Sequence, residues 1–269
     1  MELIYHIIRL LPSRDLDPLL AVSTSIRKEA RIFLFRSVRL QSDKSVAKFA
    51  LIVPDVGDFV RSLTLRICLS DDNKTDVQLI LESVPGLKEL IVGRSIELRL
   101  SNPEFLPTQT RFHLHTLILR GRTTGLEKVV PFLQTQCESL EQLYLMSGRG
   151  YYPSALLSLQ FARLRVLRTI SVLVWDILRQ GTVVCASGRI ENLPPGCSFP
   201  AVRAIDCFDA SNSTLMALPD VFPEVRFIQA TMVMSGASQL PILNLSYNPR
   251  TMRNPSTYSH SPDFLSWRS

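Results

Sequence analysis

A short apolar triad recurs along the chain and limits the folds it can adopt more than any other feature of the sequence. Each copy has an apolar residue, two residues of any type, a second apolar residue, one further residue and a third apolar residue. The copies begin at Val60, Leu87, Leu114, Leu140, Leu164, Val202 and Val225. These first positions are separated by 27, 27, 26, 24, 38 and 23 residues. A period in this range predicts a solenoid, in which copies of one structural unit stack in a row.

The segments between the triads have the periodicity of helices. In residues 75–84 the apolar positions on one helical face are Val77, Ile80, Leu81 and Val84. Similar or shorter patterns occupy residues 126–133, 154–159 and 213–218. The second and third apolar residues of each triad are two positions apart, so both point to the same face of a strand. The sequence therefore predicts an α/β fold in which parallel strands line the concave face of a solenoid and helices lie outside.

Pattern and composition divide the chain into three regions. Residues 1–40 have helical periodicity and precede the triads, and residues 43–237 contain the repeat array. Residues 180–198 lie within the step of 38 residues, contain several Gly and Pro residues and lack periodicity, which predicts an insertion on one rim of the array. Residues 239–269 contain four prolines among many Ser, Thr and Asn residues, and this composition predicts a flexible tail.

Three short helices are predicted within residues 1–40. The apolar face of the first consists of Leu3, Ile4, Ile7, Ile8 and Leu11. The second begins near Ser13 or Asp15, and its apolar residues are Leu16, Leu19, Leu20 and Val22. The third begins after a cap at Ser23 or Thr24, and its apolar face consists of Ile26, Ala30, Phe33 and Leu34. Three helices of this length cannot bury all of these faces against one another, so some apolar surface is expected to remain for a partner.

The N-terminal region resembles a known family at the level of its residues. The segments that carry the resemblance are ELIYHII at residues 2–8, LPSRDL at 11–16, AVS at 21–23, RKEA at 27–30 and LFRSV at 34–38. Together they are similar to an F-box, and most of all to the F-box proteins of fungi, in which arrays similar to leucine-rich repeats follow the box. An F-box usually opens with Leu-Pro just ahead of the glutamate that aligns with Glu2. Because the sequence begins at Met1, the resemblance implies an F-box that is truncated at its start.

The resemblance implies a function without catalysis. F-box proteins dock onto the Skp adaptor of Skp–cullin–F-box ubiquitin ligases, and their repeats recruit a protein substrate. Carried over by position, the residues that face the adaptor or form the core of the box are Leu3, Ile4, Ile7, Ile8, Leu11, Pro12, Leu16, Leu19, Leu20 and Val22. The alternative is a leucine-rich-repeat scaffold that binds a protein partner and has no role in a ligase.

The residue between the second and third apolar positions of each triad points away from the core and is a candidate substrate contact. These residues are Thr64, Ile91, Ile118, Tyr144, Arg168, Asp206 and Gln229. Ile91, Ile118 and Tyr144 are expected to adjoin one another as an apolar patch, and such patches often mark interaction sites. The alternative is that these surface strand positions merely favour branched and aromatic residues.

Charge and hydropathy argue against binding to nucleic acids or membranes. The 269 residues carry a net charge of +6, but the basic residues are dispersed and do not alternate with aromatic residues as in single-strand binders. This pattern predicts an ordinary solvated basic surface. The sequence also lacks an apolar run of the ~18 residues that a membrane span needs, and its N-terminus lacks the features of a signal peptide.

Cysteine and histidine positions predict neither a metal site nor an active site. Five cysteines without a C-x-x-C pair argue against zinc and against a disulfide framework, and they favour a reducing compartment, the cytosol or nucleus. His113 and His115 are close in sequence but lack a nearby third ligand, so they are interpreted as ordinary strand-edge residues. The sequence contains no motif of a known catalytic constellation. We therefore expect no enzymatic activity and no cofactor.

Overall fold

A ten-stranded sheet runs through the computed structural model of the chain. The structure describes residues 7–8, 10–11, 13–66, 71–93, 99–100, 105–120, 122–123, 126–145, 153–172, 175–190, 196–208, 212–231 and 242–245. Its strands are β1 (Ser37–Leu40), β2 (Ser62–Leu65), β3 (Glu89–Val92), β4 (Arg99–Leu100), β5 (Thr116–Leu119), β6 (Arg122–Thr123), β7 (Gln142–Leu145), β8 (Val166–Val172), β9 (Cys185–Arg189), β10 (Ala204–Phe208), β11 (Phe227–Thr231) and β12 (Ile242–Leu245). The short strands β4 and β6 pair with each other, and the other ten strands form the large sheet.

Neighbouring strands in the large sheet follow the order of the chain. The order is β1-β2-β3-β5-β7-β8-β9-β10-β11-β12. Every pairing from β1 to β11 is parallel, and β12 runs antiparallel to β11 at one edge. Parallel neighbours need a crossover connection, and most of these connections contain a helix.

Helices occupy the connections and the N-terminal region. Within the described residues they are α1 (Ser13–Leu16), α2 (Thr24–Leu34), α3 (Asp43–Val56), α4 (Asp71–Glu82), α5 (Val130–Gln136), α6 (Ser154–Leu157), α7 (Trp175–Leu178) and α8 (Asn212–Val221). Short 3₁₀ turns occur at Asp17–Ala21, Gly57–Phe59 and Leu126–Lys128. The chain is therefore a mixed α/β protein with nine parallel strands, which confirms the predicted α/β class.

The second apolar residues of the triads form a continuous row on the core side of the sheet. Strand register aligns Leu63, Leu90, Leu117, Leu143, Leu167, Ala186, Ile205 and Ile228. All of them are buried, as are the first residues of the triads and the apolar face predicted for α4. Burying one leucine side chain stabilises a fold by about 1.5–3 kcal/mol. The repeated triad therefore supplies a large part of the core.

Helix boundaries agree with the periodicity except where proline intervenes. Residues 126–133 form a 3₁₀ turn followed by α5, because Pro131 lacks an N–H group and fits only the first turn of a helix. Helix α3 was not predicted, although its buried residues have helical spacing. Pro54 lies within α3 near its end, where a proline normally argues against a helix.

The prediction that residues 180–198 form an insertion is wrong. Strand β9 lies in this segment and pairs in parallel with both β8 and β10. It follows the triad pattern with small residues, since Val183, Ala186 and Gly188 occupy the three inward positions and all are buried. Val183 lies 19 residues after Leu164 and 19 residues before Val202, so the step of 38 residues contains one unrecognised repeat.

Two predicted domain boundaries also need correction. Residues 37–40 were assigned to the N-terminal helical region, but they form β1, which pairs with β2. Phe35, Val38 and Leu40 have the spacing of a triad, and Leu40 is buried in the core of the sheet. Residues 242–245 were assigned to a flexible tail, but they form β12, whose pairing with β11 fixes this part of the backbone. Residues 239–241 and 246–269 lie outside the described residues.

The N-terminal region is helical, and the second and third predicted helices occur there. Helix α1 continues into the turn Asp17–Ala21, where Pro18 occupies the first turn. Helix α2 has the predicted cap, because Ser23 Oγ accepts a hydrogen bond from the Ile26 N–H at 3.2 Å. Ala30 is fully buried in α2, and Ile26, Phe33 and Leu34 are half-buried.

Candidate functional site

The sheet collects the predicted substrate residues into one row on the face opposite the core. We call this set the central row, and its members, in register order, are Arg39, Thr64, Ile91, Ile118, Tyr144, Arg168, Ser187, Asp206 and Gln229. Because successive side chains of a strand point to opposite faces, the central row faces away from the buried leucine row. Adjacent members are separated by the strand spacing of about 4.8 Å.

The central row has an apolar part. Ile91, Ile118 and Tyr144 stand on consecutive strands and are half-buried, so the predicted apolar neighbours are brought together. Thr64 precedes them but exposes only 5 % of its surface, so its side chain offers little to a partner. The surface available for apolar contact therefore extends over β3, β5 and β7.

The other part of the central row is polar and charged. The Arg168 guanidinium carbon lies 5.2 Å from the centre of the Tyr144 ring, which is a cation–π arrangement. The Ser187 hydroxyl donates a hydrogen bond to Asp206 Oδ2 at 3.1 Å. Burial raises the pKa of Asp206, while the Ser187 hydrogen bond and the Arg168 charge act in the opposite direction. A partner that contacts this face thus meets apolar, cationic and anionic side chains in that order.

Two members of the central row were not predicted. Ser187 lay in the presumed insertion, and Arg39 lay in the region assigned to helices. A search for triads that accepted Ala, Gly and Phe at the apolar positions would have found both strands, because the spacing is kept in each.

A second row stands beside the central row on the same face. It contains the first residue of each strand, and its members are Ser37, Ser62, Glu89, Thr116, Gln142, Val166, Cys185, Ala204 and Phe227. It changes from polar to apolar residues along the sheet, and the Ser62 hydroxyl donates to Glu89 Oε2 at 2.6 Å. The two rows together make this face chemically varied.

The predicted adaptor-binding residues divide into buried and exposed sets. Ile8 and Leu16 are buried, and Leu11, Leu19 and Leu20 are half-buried. Ile7 and Val22 expose 51 % and 61 % of their surfaces. Leu3, Ile4 and Pro12 lie outside the described residues.

Leu10 is an exposed apolar residue that the sequence interpretation missed. Its side chain is 84 % exposed. It lies three positions after Ile7, a spacing that places two residues on neighbouring parts of a helix surface, and this was the available signal. Ile7, Leu10 and Val22 are thus apolar side chains of the N-terminal region that face solvent.

The described residues contain no group of three or more His, Cys, Asp and Glu side chains arranged to hold a metal ion. His113 and His115 are both exposed, and His115 Nδ1 lies 3.3 Å from Glu141 Oε1. The cysteines Cys137, Cys185, Cys197 and Cys207 are free. Among the described helices, none is long and apolar enough to cross a membrane.

Burial holds two of the thiols in their protonated form. Burial raises the pKa of Cys137 to about 11, and the Glu138 charge acts in the same direction. Burial, with a smaller effect of the Asp206 charge, raises the pKa of Cys207 to about 11 as well. The thiolate is the nucleophilic form, so neither cysteine is activated at neutral pH.

Comparison with known proteins yields no match to any family model and none to the curated proteins.

Proposed function

We propose that the chain is a substrate-recruiting F-box subunit of a Skp–cullin–F-box ubiquitin ligase. The N-terminal helices would bind the Skp adaptor, and the face of the sheet opposite the core would bind a protein substrate. The observation that carries the proposal is the exposure of the apolar side chains of Ile7, Leu10 and Val22 in the N-terminal region. Exposed apolar side chains on short helices suit a contact in which a helix enters an apolar groove of a partner.

The finer fold in this proposal is a solenoid similar to leucine-rich repeats. It is supported by the triads, by parallel strands in chain order and by helices in the connections. In such a solenoid the central row would line the concave surface. Repeat arrays of this kind bind partners along an extended concave face.

The proposed action is recruitment, and the chain itself makes or breaks no bond. Binding a substrate and an adaptor at once raises the effective concentration of the substrate near the ligase core. Tyr144 and Arg168 are the strongest candidate anchors, because Tyr and Arg dominate binding energy at protein interfaces. Ile91 and Ile118 would supply apolar contact area beside them.

The experiment that tests the adaptor contact is capture of a purified fungal Skp adaptor by the full chain. A Leu10→Asp substitution is expected to reduce capture at least tenfold, because it places a charge in an apolar contact. Leu51→Asp is the matched control, since Leu51 on α3 is 81 % exposed and lies outside the N-terminal helices. A chain with a Leu-Pro pair added ahead of Glu2 is measured in parallel.

Failure of both the native chain and the Leu-Pro version to capture the adaptor would exclude the ligase role. The alternative function, a repeat scaffold that binds a protein partner without a ligase, would then remain. It is favoured by the central row, in which Ile91, Ile118 and Tyr144 are half-buried and Arg168 is exposed. If Leu51→Asp reduces adaptor capture as much as Leu10→Asp does, capture depends on exposed apolar residues in general.

A further inference from the structure

A row of cations stands at the N-terminal ends of the parallel strands, along one rim of the sheet. The residue that immediately precedes each parallel strand belongs to this set, which we call the edge row, and its members are Arg36, Arg61, Lys88, His115, Glu141, Arg165, Val184, Arg203 and Arg226. From Arg61 onwards, each N–H in the row donates to the carbonyl of the preceding member at 2.7–2.9 Å. These bonds extend the strand register by one residue and hold the members at the strand spacing of about 4.8 Å.

The edge row accounts for most of the excess charge of the protein. Six of its members are Arg or Lys, and Glu141 is its only acidic member. The whole chain has 30 Lys and Arg residues against 24 Asp and Glu residues. Outside the edge row the two signs nearly balance, at 24 and 23, so the net charge of +6 is concentrated at this edge.

The six cations are accessible. All of them are exposed, and the ion pairs found among the described residues are His115 with Glu141 and Arg179 with Asp176. Arg61 also donates to the carbonyls of Asp58 and Val60, which carry no formal charge. Like charges held a few ångströms apart repel each other, and an anionic partner would relieve this repulsion.

A groove adjoins the row at the β1–β3 end. It has a volume of about 480 Å³ and is lined by Arg36, Arg61 and Lys88 together with Phe33, Ser37 and Ser62. Glu89 also lines it, and this carboxylate accepts the Ser62 hydroxyl. With three cations and one carboxylate in its lining, the groove is a favourable binding site for an anionic group.

We propose that the edge row binds an acidic segment of a protein. The segment would lie extended along this rim, across the N-terminal ends of the strands. The row spans about 38 Å from β1 to β11, which matches about 11–12 residues of extended chain at about 3.4 Å each. Charge complementarity supplies the attraction and accelerates association. This inference adds to the proposed function the chemistry of the recruited segment. It rests on that function only for the assumption that the partner is a protein.

A protein segment fits the edge row better than a nucleic acid does. Proteins that bind single strands stack bases on aromatic side chains set among cations. The edge row itself contains no Phe, Tyr or Trp residue. Phe33 in the groove and Phe227 after Arg226 are aromatic residues at the two ends of the row.

The test measures binding of a labelled peptide of six Glu-Ser repeats to the full chain by fluorescence anisotropy. Arg36→Glu with Arg61→Glu, and separately Arg203→Glu with Arg226→Glu, are each expected to weaken binding at least tenfold. Raising the salt concentration from 50 to 300 mM is expected to weaken binding of the native chain by about tenfold or more, because exposed charge pairs are screened.

The matched control is Lys44→Glu with Lys48→Glu on α3, which makes the same charge change on exposed residues outside the row. Glutamine versions of the row variants show whether charge neutralisation alone weakens binding, and circular dichroism checks that each variant is folded. If the control variant loses as much peptide binding as the row variants do, binding depends only on the net charge of the chain. That result would overturn the proposal. Absence of peptide binding at 50 mM salt, or tighter binding of a 12-nucleotide oligouridine, would also overturn it. Skp capture by the same variants is measured separately, so a failure here leaves the adaptor proposal standing.

Discussion

Two glutamine side chains connect helix ends to the backbone of the preceding repeat. Gln136, at the end of α5, accepts the Leu114 N–H at 2.7 Å and donates to the Thr110 hydroxyl at 2.7 Å. Gln180 accepts the Phe161 N–H at 2.8 Å and donates to the Leu159 carbonyl at 2.6 Å. The same device thus appears in two repeats, where it satisfies backbone groups that no strand partner reaches.

Replacing Gln136 by leucine is expected to destabilise the fold. Gln136 is fully buried, so Gln136→Leu leaves the Leu114 N–H unpaired in an apolar region, at a cost of about 1–3 kcal/mol. Urea unfolding followed by circular dichroism measures the change. Gln134→Leu is the control, because Gln134 lies on the same helix and is exposed. If the two variants unfold at the same urea concentration, the side chain of Gln136 does not have this role.

At the scale of elements, strand β9 shows how far a repeat can depart from its consensus. Ala186 stands in register between Leu167 and Ile205, and the strand remains in the sheet although its inward residues are small. Part of the core at this end consists of aromatic rings. Trp175, Phe199 and Phe222 lie within 5.5–6.3 Å of one another between their ring centres.

Placing a charge in β9 distinguishes a core strand from a surface insertion. Ala186→Asp buries a carboxylate without a partner and is expected to cost about 3 kcal/mol or more. Ala162→Asp, at an exposed position shortly before β8, should change stability little. The comparison uses thermal and urea denaturation of both variants. Stability close to that of the native chain in Ala186→Asp would mean that β9 does not belong to the core.

The sequence predicts an element well when its apolar residues are large. The strong triads at Val60, Leu87, Leu114 and Leu140 identify four strands and the face that each one buries. Strand β9 escaped detection because Ala and Gly carry little hydrophobic signal, while the nearby Gly and Pro residues indicate a loop. Small residues in one repeat are tolerated because its neighbours and the adjoining rings supply the buried area.

The candidate binding surfaces could also be predicted only in part from the sequence. The central row could be predicted largely from the triads, since each of its members has a fixed position within one repeat. The edge row could not be recognised as a cluster, because consecutive cations such as Arg36 and Arg61 lie 25 residues apart and form no basic run. Only the pairing of the strands brings them within about 5 Å of one another.

On the scale of the whole molecule, the parallel strands of the large sheet and the helices α3 to α8 share one core. The buried residues form a continuous cluster that extends from Leu40 to Ile228 and includes both Cys137 and Cys207. A single core of this kind favours loss of structure in one step, whereas separable cores would unfold independently. The two buried thiols report on different parts of the sheet, because Cys137 follows α5 and Cys207 lies in β10.

Alkylation of these thiols is expected to begin at the same urea concentration. At pH 8 a thiol whose pKa is about 11 is ionised in about one molecule in a thousand, and burial adds a barrier to the reagent. Native Cys137 and Cys207 should therefore resist iodoacetamide and become reactive together on unfolding. Mass spectrometry of the alkylated peptides measures both sites. Modification of one cysteine at a clearly lower urea concentration than the other would show that the sheet unfolds in parts.

Chain-order strand pairing also determines how the molecule would respond to tension. Neighbouring parallel strands are separated by one repeat, which spans 19 to 27 residues when the copies that begin at Phe35 and Val183 are included. A strand pulled from one end of the sheet releases only that length, roughly 65–90 Å of extended chain. Its departure leaves the next strand as a new edge of similar form. The array is thus a series of links of nearly equal length, and tension loads the strand at the edge of the sheet first.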